Sequence, residues 1–300
     1  MAKLSQSQRT QTQRAIIYGG PKTGKSLLAG ELAEYYDLVW VDLENGHETL
    51  FQLPEAWQDR IELVNLPDTR SYPIAIETVL KMVKTAVTIC EAHGKVSCMQ
   101  CKKKEAPAID IDLPSLGHNH VVVFDSLTQL SNSAISHITK GQPDDYKLDY
   151  NDWGNLGKLL DIFLSHIQQA KYNVIVISHE TEAESEGKKK SLVPVGGTRA
   201  FSRNVAKYFD HVVYAERKNK KHVFSSSTSY ATNILCGSRS DIDIGGAEGT
   251  KPSLLQIFKP ELYGSSQAAK ESKPTLSTLQ TTGGNNSAKD VLARLRETKK

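Results

Sequence analysis

The run Ala15-Ile16-Ile17-Tyr18-Gly19-Gly20-Pro21-Lys22-Thr23-Gly24-Lys25-Ser26-Leu27-Leu28 decides the fold. It begins as a short apolar stretch ending in glycines, the pattern of a buried strand. Residues Gly19 to Ser26 fit G-x-x-x-x-G-K-[ST], and a helical pattern follows, with Leu27, Leu28, Leu32 and Tyr35 recurring through Tyr36. The residue types follow from phosphate chemistry. Glycines let backbone N–H groups curl around a polyphosphate, and a helix starting near Lys25 offers unpaired amides and a positive dipole end. Lys25 is expected to bridge β- and γ-phosphates, and Ser26 to place its hydroxyl on Mg²⁺. Gly19, Gly20, Pro21, Lys22, Thr23, Gly24, Lys25 and Ser26 are therefore the candidate nucleotide-binding residues.

Outward from this unit, strands and helices alternate. Leu38 to Val41 and Ile61 to Val64 read as strands, and Ile74 to about Glu91 has helical apolar spacing. His120 to Phe124 is a β-branched run of the kind found where both sheet faces are covered. Trp153 to Ala170 is amphipathic, and Asn173 to Ile177 reads as another buried strand. This rhythm predicts an α/β fold with a mostly parallel central sheet and right-handed crossovers. From Asp210 the texture changes to short strand candidates, His211 to Ala215, His222 to Phe224 and Ala231 to Cys236, which predict closing β-hairpins. The core is expected over residues 1–263. Residues 264–300 are Ser/Thr/Gly/Gln-rich and read as a flexible basic tail. A short terminal helix is expected in it, with a capping box from Ser287 to Asp290.

Three hundred residues with 39% hydrophobic and 24% charged content describe a globular chain. No apolar stretch approaches the ~18 residues that span a bilayer, so no membrane partner is expected. The leader MAKLSQSQRTQTQR carries no apolar signal core, which predicts a cytoplasmic location, that of the host if the gene is viral. The net charge of +3 is too small to argue nucleic-acid binding by itself. The tail holds seven Lys/Arg against three Asp/Glu, leaving 30 against 31 in residues 1–263, so any contact with DNA from the body needs local patches.

Hydrolysis needs carboxylates beside the phosphates. Asp125 ends the run VVVFDS at a strand tip, where α/β sheets collect ligands, and is the candidate second Mg²⁺ ligand; Ser126 could cap the next helix. VWVDLENG carries Asp42 and Glu44, and Glu44 is the candidate for activating water. VIVISHE ends at Ser178-His179, which puts His179 in position to sense a γ-phosphate. Separately, Cys90-x-x-His93-x4-Cys98-x-x-Cys101 supplies four ligands with the paired spacing of a tetrahedral Zn²⁺ site. It predicts a small zinc-knuckle insertion over residues 90–118, with His118 or His120 as alternative fourth ligands. Cys236 reads as an ordinary buried thiol.

In order and spacing, GGPKTGKS, VDLE, VVVFDS, VIVISH and Pro194-Val195-Gly196-Gly197 resemble the RecA-type ATPase core across roughly residues 14–240. The Asp152-Trp153-Gly154 lead-in to a helix and His179 in place of the usual Gln resemble phage-encoded RecA-like ATP-binding proteins, which include single-strand annealing recombinases. The resemblance implies an Mg²⁺-dependent ATPase stimulated by single-stranded DNA, with a single-strand-binding protein as partner and a homo-oligomeric assembly. By that similarity Glu44 is the catalytic carboxylate, and the segment from Thr181 to Arg199, with Lys188, Lys189 and Lys190, is the mobile DNA-binding loop. Arg239 falls where that family reaches a neighbour's nucleotide with a cation. Two other functions stay open: an annealing scaffold with negligible turnover, and a small-molecule P-loop kinase.

Overall fold

The computed structural model describes residues 12–66, 68, 69, 72–184, 190–227, 233–240, 242, 244, 245 and 251–262. Its strands are β1 (Arg14–Gly19), β2 (Asp37–Asp42), β3 (Ile61–Asn65), β4 (Val87–Cys90), β5 (Ala108–Ile111), β6 (His120–Asp125), β7 (Asn173–Ser178), β8 (Glu180–Glu184), β9 (Lys190–Pro194), β10 (His211–Lys218), β11 (Lys221–Ser225) and β12 (Gly237–Ser238). Eight of them form one sheet in the order β11-β10-β1-β7-β6-β2-β3, with β12 also on β10. Pairings from β3 through β10 are parallel; β11 and β12 pair antiparallel to β10. The expected parallel sheet with a closing hairpin is therefore present. β4 with β5, and β8 with β9, make two separate antiparallel pairs.

Both faces of the sheet are covered, which is why its central strands read as unbroken apolar runs. Ile16, Tyr18, Val122, Phe124, Val174 and Val176 point to one core; Ala15, Ile17, Val121, Val123, Ile175 and Ile177 point to the other. The helices are α1 (Lys25–Gly30), α2 (Glu55–Gln58), α3 (Ala75–Met82), α4 (Met99–Lys103), α5 (Leu127–Ile138), α6 (Tyr150–Gln168), α7 (Arg199–Asn204) and α8 (Leu255–Phe258). Residues of α3, α5 and α6 fill the first core, where Phe163 meets Phe124 edge to face at 5.0 Å. Residues of α1 and α8 fill the second. A reciprocal capping box between Asp149 and Asp152 starts α6.

The structure corrects several boundaries. The helix expected to reach Tyr36 ends as α1 at Gly30 and tightens into a 3-10 turn over Glu31–Glu34, still burying Leu32 and Ala33. The helix expected to reach Glu91 stops at Met82, because Val87, Thr88 and Ile89 are β-branched and pair as β4 with β5. Within the polar loop expected from Thr181 to Arg199, residues 181–184 and 190–194 pair antiparallel as parts of β8 and β9, and residues 185–189 lie outside the described residues. The strand expected to end at Cys236 adds to β10 two residues later, through Gly237 and Ser238. Much of the leader, Lys188, Lys189 and the tail with its candidate helix lie outside the described residues.

The chain divides into two units, Met1–Pro260 and Glu261–Lys300. Among the described residues, no helix is long and apolar enough to cross a membrane.

At the N-terminal edge of the sheet, His211 is 2% exposed and lies between Gln13 Oε1 at 2.9 Å and Ser238 Oγ at 2.8 Å. Burial lowers its pKa from 6.5 to about 4, with Asp210 opposing the shift and Arg239 adding to it. The unfolded chain therefore takes up this proton first, so the contribution of neutral His211 is present above pH 6.5 and is lost as pH falls toward 4. We expect wild type to lose up to about 3 kcal/mol relative to H211N between neutral pH and about pH 4. Urea titrations of both proteins at several pH values check this; parallel pH dependence contradicts it.

Candidate nucleotide site

The loop after β1 does what its residue types allow. Gly24 sits at φ 89, a left-handed conformation that side chains resist, and a Cβ there would press on the His222 ring at 3.0 Å. Pro21 and Lys22 are exposed at the tip of the loop, and Thr23 Oγ1 donates to the Gly20 carbonyl at 2.8 Å. Lys25 is 7% exposed and donates to the carbonyls of Gly19 at 3.0 Å and Gly20 at 2.7 Å. Burial lowers its pKa, while Asp125, Glu44 and Glu180 hold it up.

The parallel register brings the other candidates to the same sheet edge. Asp42 pairs in register with Asp125, which pairs with Ile177, and Ile17 pairs with Ile177 one residue before Ser178. The two buried acids have different environments. Asp42 is fully buried, and its carboxylate accepts from the N–H groups of Glu44, Gly46 and His47 and lies 2.7 Å from His47 Nδ1. It shapes the loop that carries Glu44. Asp125, 4% exposed, accepts from Ser26 Oγ at 2.9 Å. Burial pushes its pKa up to about 7, the Glu44 carboxylate adds to the rise, and the Ser26 hydroxyl opposes it. A buried carboxylate this weakly compensated, beside a serine oxygen, is chemically suited to a hard cation such as Mg²⁺.

Glu44 is partly exposed and stays ionised. Its pKa is lowered first by His179, whose Nε2 stands 3.6 Å from Oε1, then by the Ser126 hydroxyl, against the cost of burial. Ser126 also accepts from Gln129 N–H as the N-cap of α5, so the helix-capping role falls to Ser126 and leaves Asp125 for the cleft. The His179 N–H donates to Thr128 Oγ1 at 2.9 Å, fixing the end of β7 against α5.

A cleft of about 560 Å³ opens over Lys25, Ser26, Glu44, Asp125, Ser126 and His179. It also receives Arg217 and His222, which the sequence reading did not select. They arrive on the β10–β11 hairpin, whose turn Asn219-Lys220 has positive φ at both residues. The signal was present as a basic run, Arg217 to His222, between two strand candidates. Arg239 is not brought to this cleft. It follows β12 at the opposite edge of the sheet and pairs with Asp210 at 2.9 Å.

The Cys/His insertion assembles as expected. The sulfurs of Cys90, Cys98 and Cys101 and a His93 nitrogen all lie within 4.8 Å of one another, and the three cysteines are buried. His93 is the fourth member of the cluster. Cys236 is buried and donates to the Ser227 carbonyl.

A phosphate loop, a buried acid against its serine, and an ionised glutamate across the cleft are the parts of a P-loop nucleotide site on an α/β fold. The chain belongs to the AAA domain family, whose model matches residues 11–239. No curated protein matches it in sequence. A solved structure of a prototypical ATPase from the type III secretion system of pathogenic bacteria aligns at 16% identity and a TM-score of 0.40, covering 68% of this chain. The chain spans about half, 52%, of that structure's length.

Because Asp125 holds a proton up to about pH 7 and Mg²⁺ needs the carboxylate, metal loading is linked to proton release. Mg²⁺-nucleotide binding is expected to release about one proton from this group near pH 6 and almost none near pH 8.5. Affinity for the metal complex rises with pH through this range. Calorimetry in buffers of different ionisation enthalpy measures the release; D125N removes it, and an equal release in that variant contradicts the assignment.

Proposed function

We propose that the protein is a RecA-type, Mg²⁺-dependent ATPase whose turnover is stimulated by single-stranded DNA and serves phage DNA recombination or single-strand annealing. The single observation that carries the ATPase reading is the convergence of Ser26, Asp125, Glu44 and His179 around Lys25. ATP and Mg²⁺ are its cofactors, and zinc belongs to the Cys/His cluster.

In this reading Lys25, with the amides of Gly20 and of Lys22 to Ser26, holds the phosphate chain, and Lys25 moves from the loop carbonyls to the phosphate oxygens. Ser26 and Asp125 would hold Mg²⁺, which when bound would neutralise charge on the phosphate oxygens. Glu44, kept ionised by His179 and Ser126, orients a water and accepts its proton as the oxygen attacks the γ-phosphorus and the bond to the β–γ bridging oxygen breaks, releasing ADP. Arg217 supplies positive charge from the same chain. In a homo-oligomer, Arg239 is the residue offered to a neighbour's nucleotide.

Coupling to DNA is supported by the position of His179. The β8–β9 hairpin starts at the next residue, and the Val195 N–H returns to the His179 carbonyl at 2.9 Å. A change of His179 on γ-phosphate contact moves both feet of the hairpin. Lys190 on β9 pairs with Glu182 at 3.2 Å, and Arg199 is exposed at the start of α7. Phosphate contacts from these residues are salt-sensitive. A single-strand-binding protein is the expected partner, in the cytoplasm of the cell that carries the gene.

ATP turnover measured with and without single-stranded DNA tests the reading. We expect stimulation by DNA, and E44Q to lower the stimulated rate by about 10²–10⁴-fold while ATP still binds. Turnover that depends on a small acceptor and ignores DNA would make the protein a kinase. DNA annealing that persists with no turnover in wild type would make it a scaffold.

A further inference from the structure

The Cys/His excursion is not used by the mechanism above, yet it occupies a defined place in the fold. Residues 91–107 contribute almost nothing to the two main cores; Cys90, Cys98 and Cys101 form a cluster of their own, joined by the partly buried Ala106, and Met99 is 65% exposed. Such a segment has too little apolar surface to hold its shape by burial. We propose that Cys90, His93, Cys98 and Cys101 hold one structural Zn²⁺, and that this ion fixes the turn at Gly94 against the end of β3, thereby positioning the loop that carries Glu44.

Donor type and spacing carry the first half. His93 Nδ1 lies 3.6 Å from Cys90 Sγ, 3.2 Å from Cys101 Sγ and 3.8 Å from Cys98 Sγ. A tetrahedral ion with Zn–S of about 2.3 Å and Zn–N of about 2.05 Å requires S···N separations of about 3.6 Å. The four donors therefore already surround a point suited to a single ion, and an S₃N set favours zinc over oxygen-seeking cations. Four protein ligands leave no position for a reactive water, so the site is structural. Lys102, Lys103 and Lys104, exposed at and just past the end of α4, offset the net negative charge of three thiolates and Zn²⁺.

A short chain of contacts carries the second half, which rests on the ATPase reading; the first half does not. Between the ligands Cys90 and Cys98, the Gly94 N–H donates to the Cys90 carbonyl at 2.8 Å, and the Gly94 carbonyl accepts from Thr78 Oγ1 at 3.0 Å. Gly94 has φ 60 and packs so closely on β3 that a Cβ would stand 2.9 Å from Leu66 Cδ2. The Leu66 N–H donates to the Asp42 carbonyl at 2.9 Å. Asp42 in turn accepts from Glu44, Gly46 and His47. The cluster thus supports Glu44 from behind and touches none of the reacting groups.

The test uses the full chain purified under reducing conditions without chelator. Metal analysis is expected to find one Zn²⁺ per chain, kept in E44Q and lost in C98S and C101S. Less than about 0.2 equivalents, another metal in its place, or a Cys98–Cys101 disulfide in the purified chain overturns the site. Because a cysteine variant can unfold locally for other reasons, zinc is also withdrawn from wild type with a chelator and then returned. Amide exchange over residues 42–47 should then speed by about tenfold and recover on zinc addition, while residues 15–19 of β1 stay protected. kcat should fall and the ATP KM change by less than about twofold. G94A should keep its zinc and show the same loss of protection. Unchanged exchange over 42–47 on zinc withdrawal overturns the positioning role. A wild-type chain that hydrolyses no ATP defeats the ATPase reading, and metal content and exchange still decide this one.

Discussion

A buried carboxylate with too few partners is the constraint on which the rest of the arrangement turns. Asp125 sits at the tip of β6 with Ser26 Oγ as a neutral donor, within the fields of Glu44 and Asp42. Burying such a charge costs several kcal/mol unless it is paired. Asp42, equally buried, is satisfied by three backbone N–H groups and lies beside His47, so it acts as a fixed part of the scaffold. The difference between these two neighbours in register separates a structural acid from one that wants a cation.

The other charges fall into place around that contrast. Lys25 is held by loop carbonyls and has its charge supported by the surrounding carboxylates against the cost of burial. Glu44 keeps its charge through His179 and Ser126 and so retains a proton acceptor at neutral pH. Each group is tuned by elements from different parts of the sheet: the loop after β1, the tips of β2, β6 and β7, and the first residue before α5. A parallel sheet delivers them to one edge because every strand ends on the same side.

The parts of this site that were legible in the sequence are those whose chemistry is local. Gly19 to Ser26 carries its own strand, turn and helix start, and VVVFDS and VIVISH announce strand tips by their apolar runs. The overlong helix toward Glu91 arose because apolar spacing over Ile74 to Met82 continues by chance into Val87 and Ile89, whose pairing with β5 is decided by tertiary contact. Arg217 and His222 carry no motif because an antiparallel return strand brings them to the cleft over the phosphate loop, a placement that no local pattern encodes. Arg239, placed by resemblance to reach a neighbour's nucleotide, follows β12, which runs antiparallel to β10 and sets it beside Asp210 at the opposite edge of the sheet from this chain's own cleft. The convergence of Cys90, His93, Cys98 and Cys101 was legible because paired C-x-x-[CH] spacing is itself a geometric statement.

The central claim is that Lys25 and the amides around it receive the phosphate tail of a nucleotide while Asp125 and Ser26 take its metal. Calorimetric titration of Mg²⁺-ATP into the full chain tests this most directly. The account predicts saturable binding at one site per chain, abolished in K25A and strongly weakened when Mg²⁺ is withheld. A well-folded wild-type chain that gives no binding signal, or a K25A chain that binds as tightly as wild type, would contradict it.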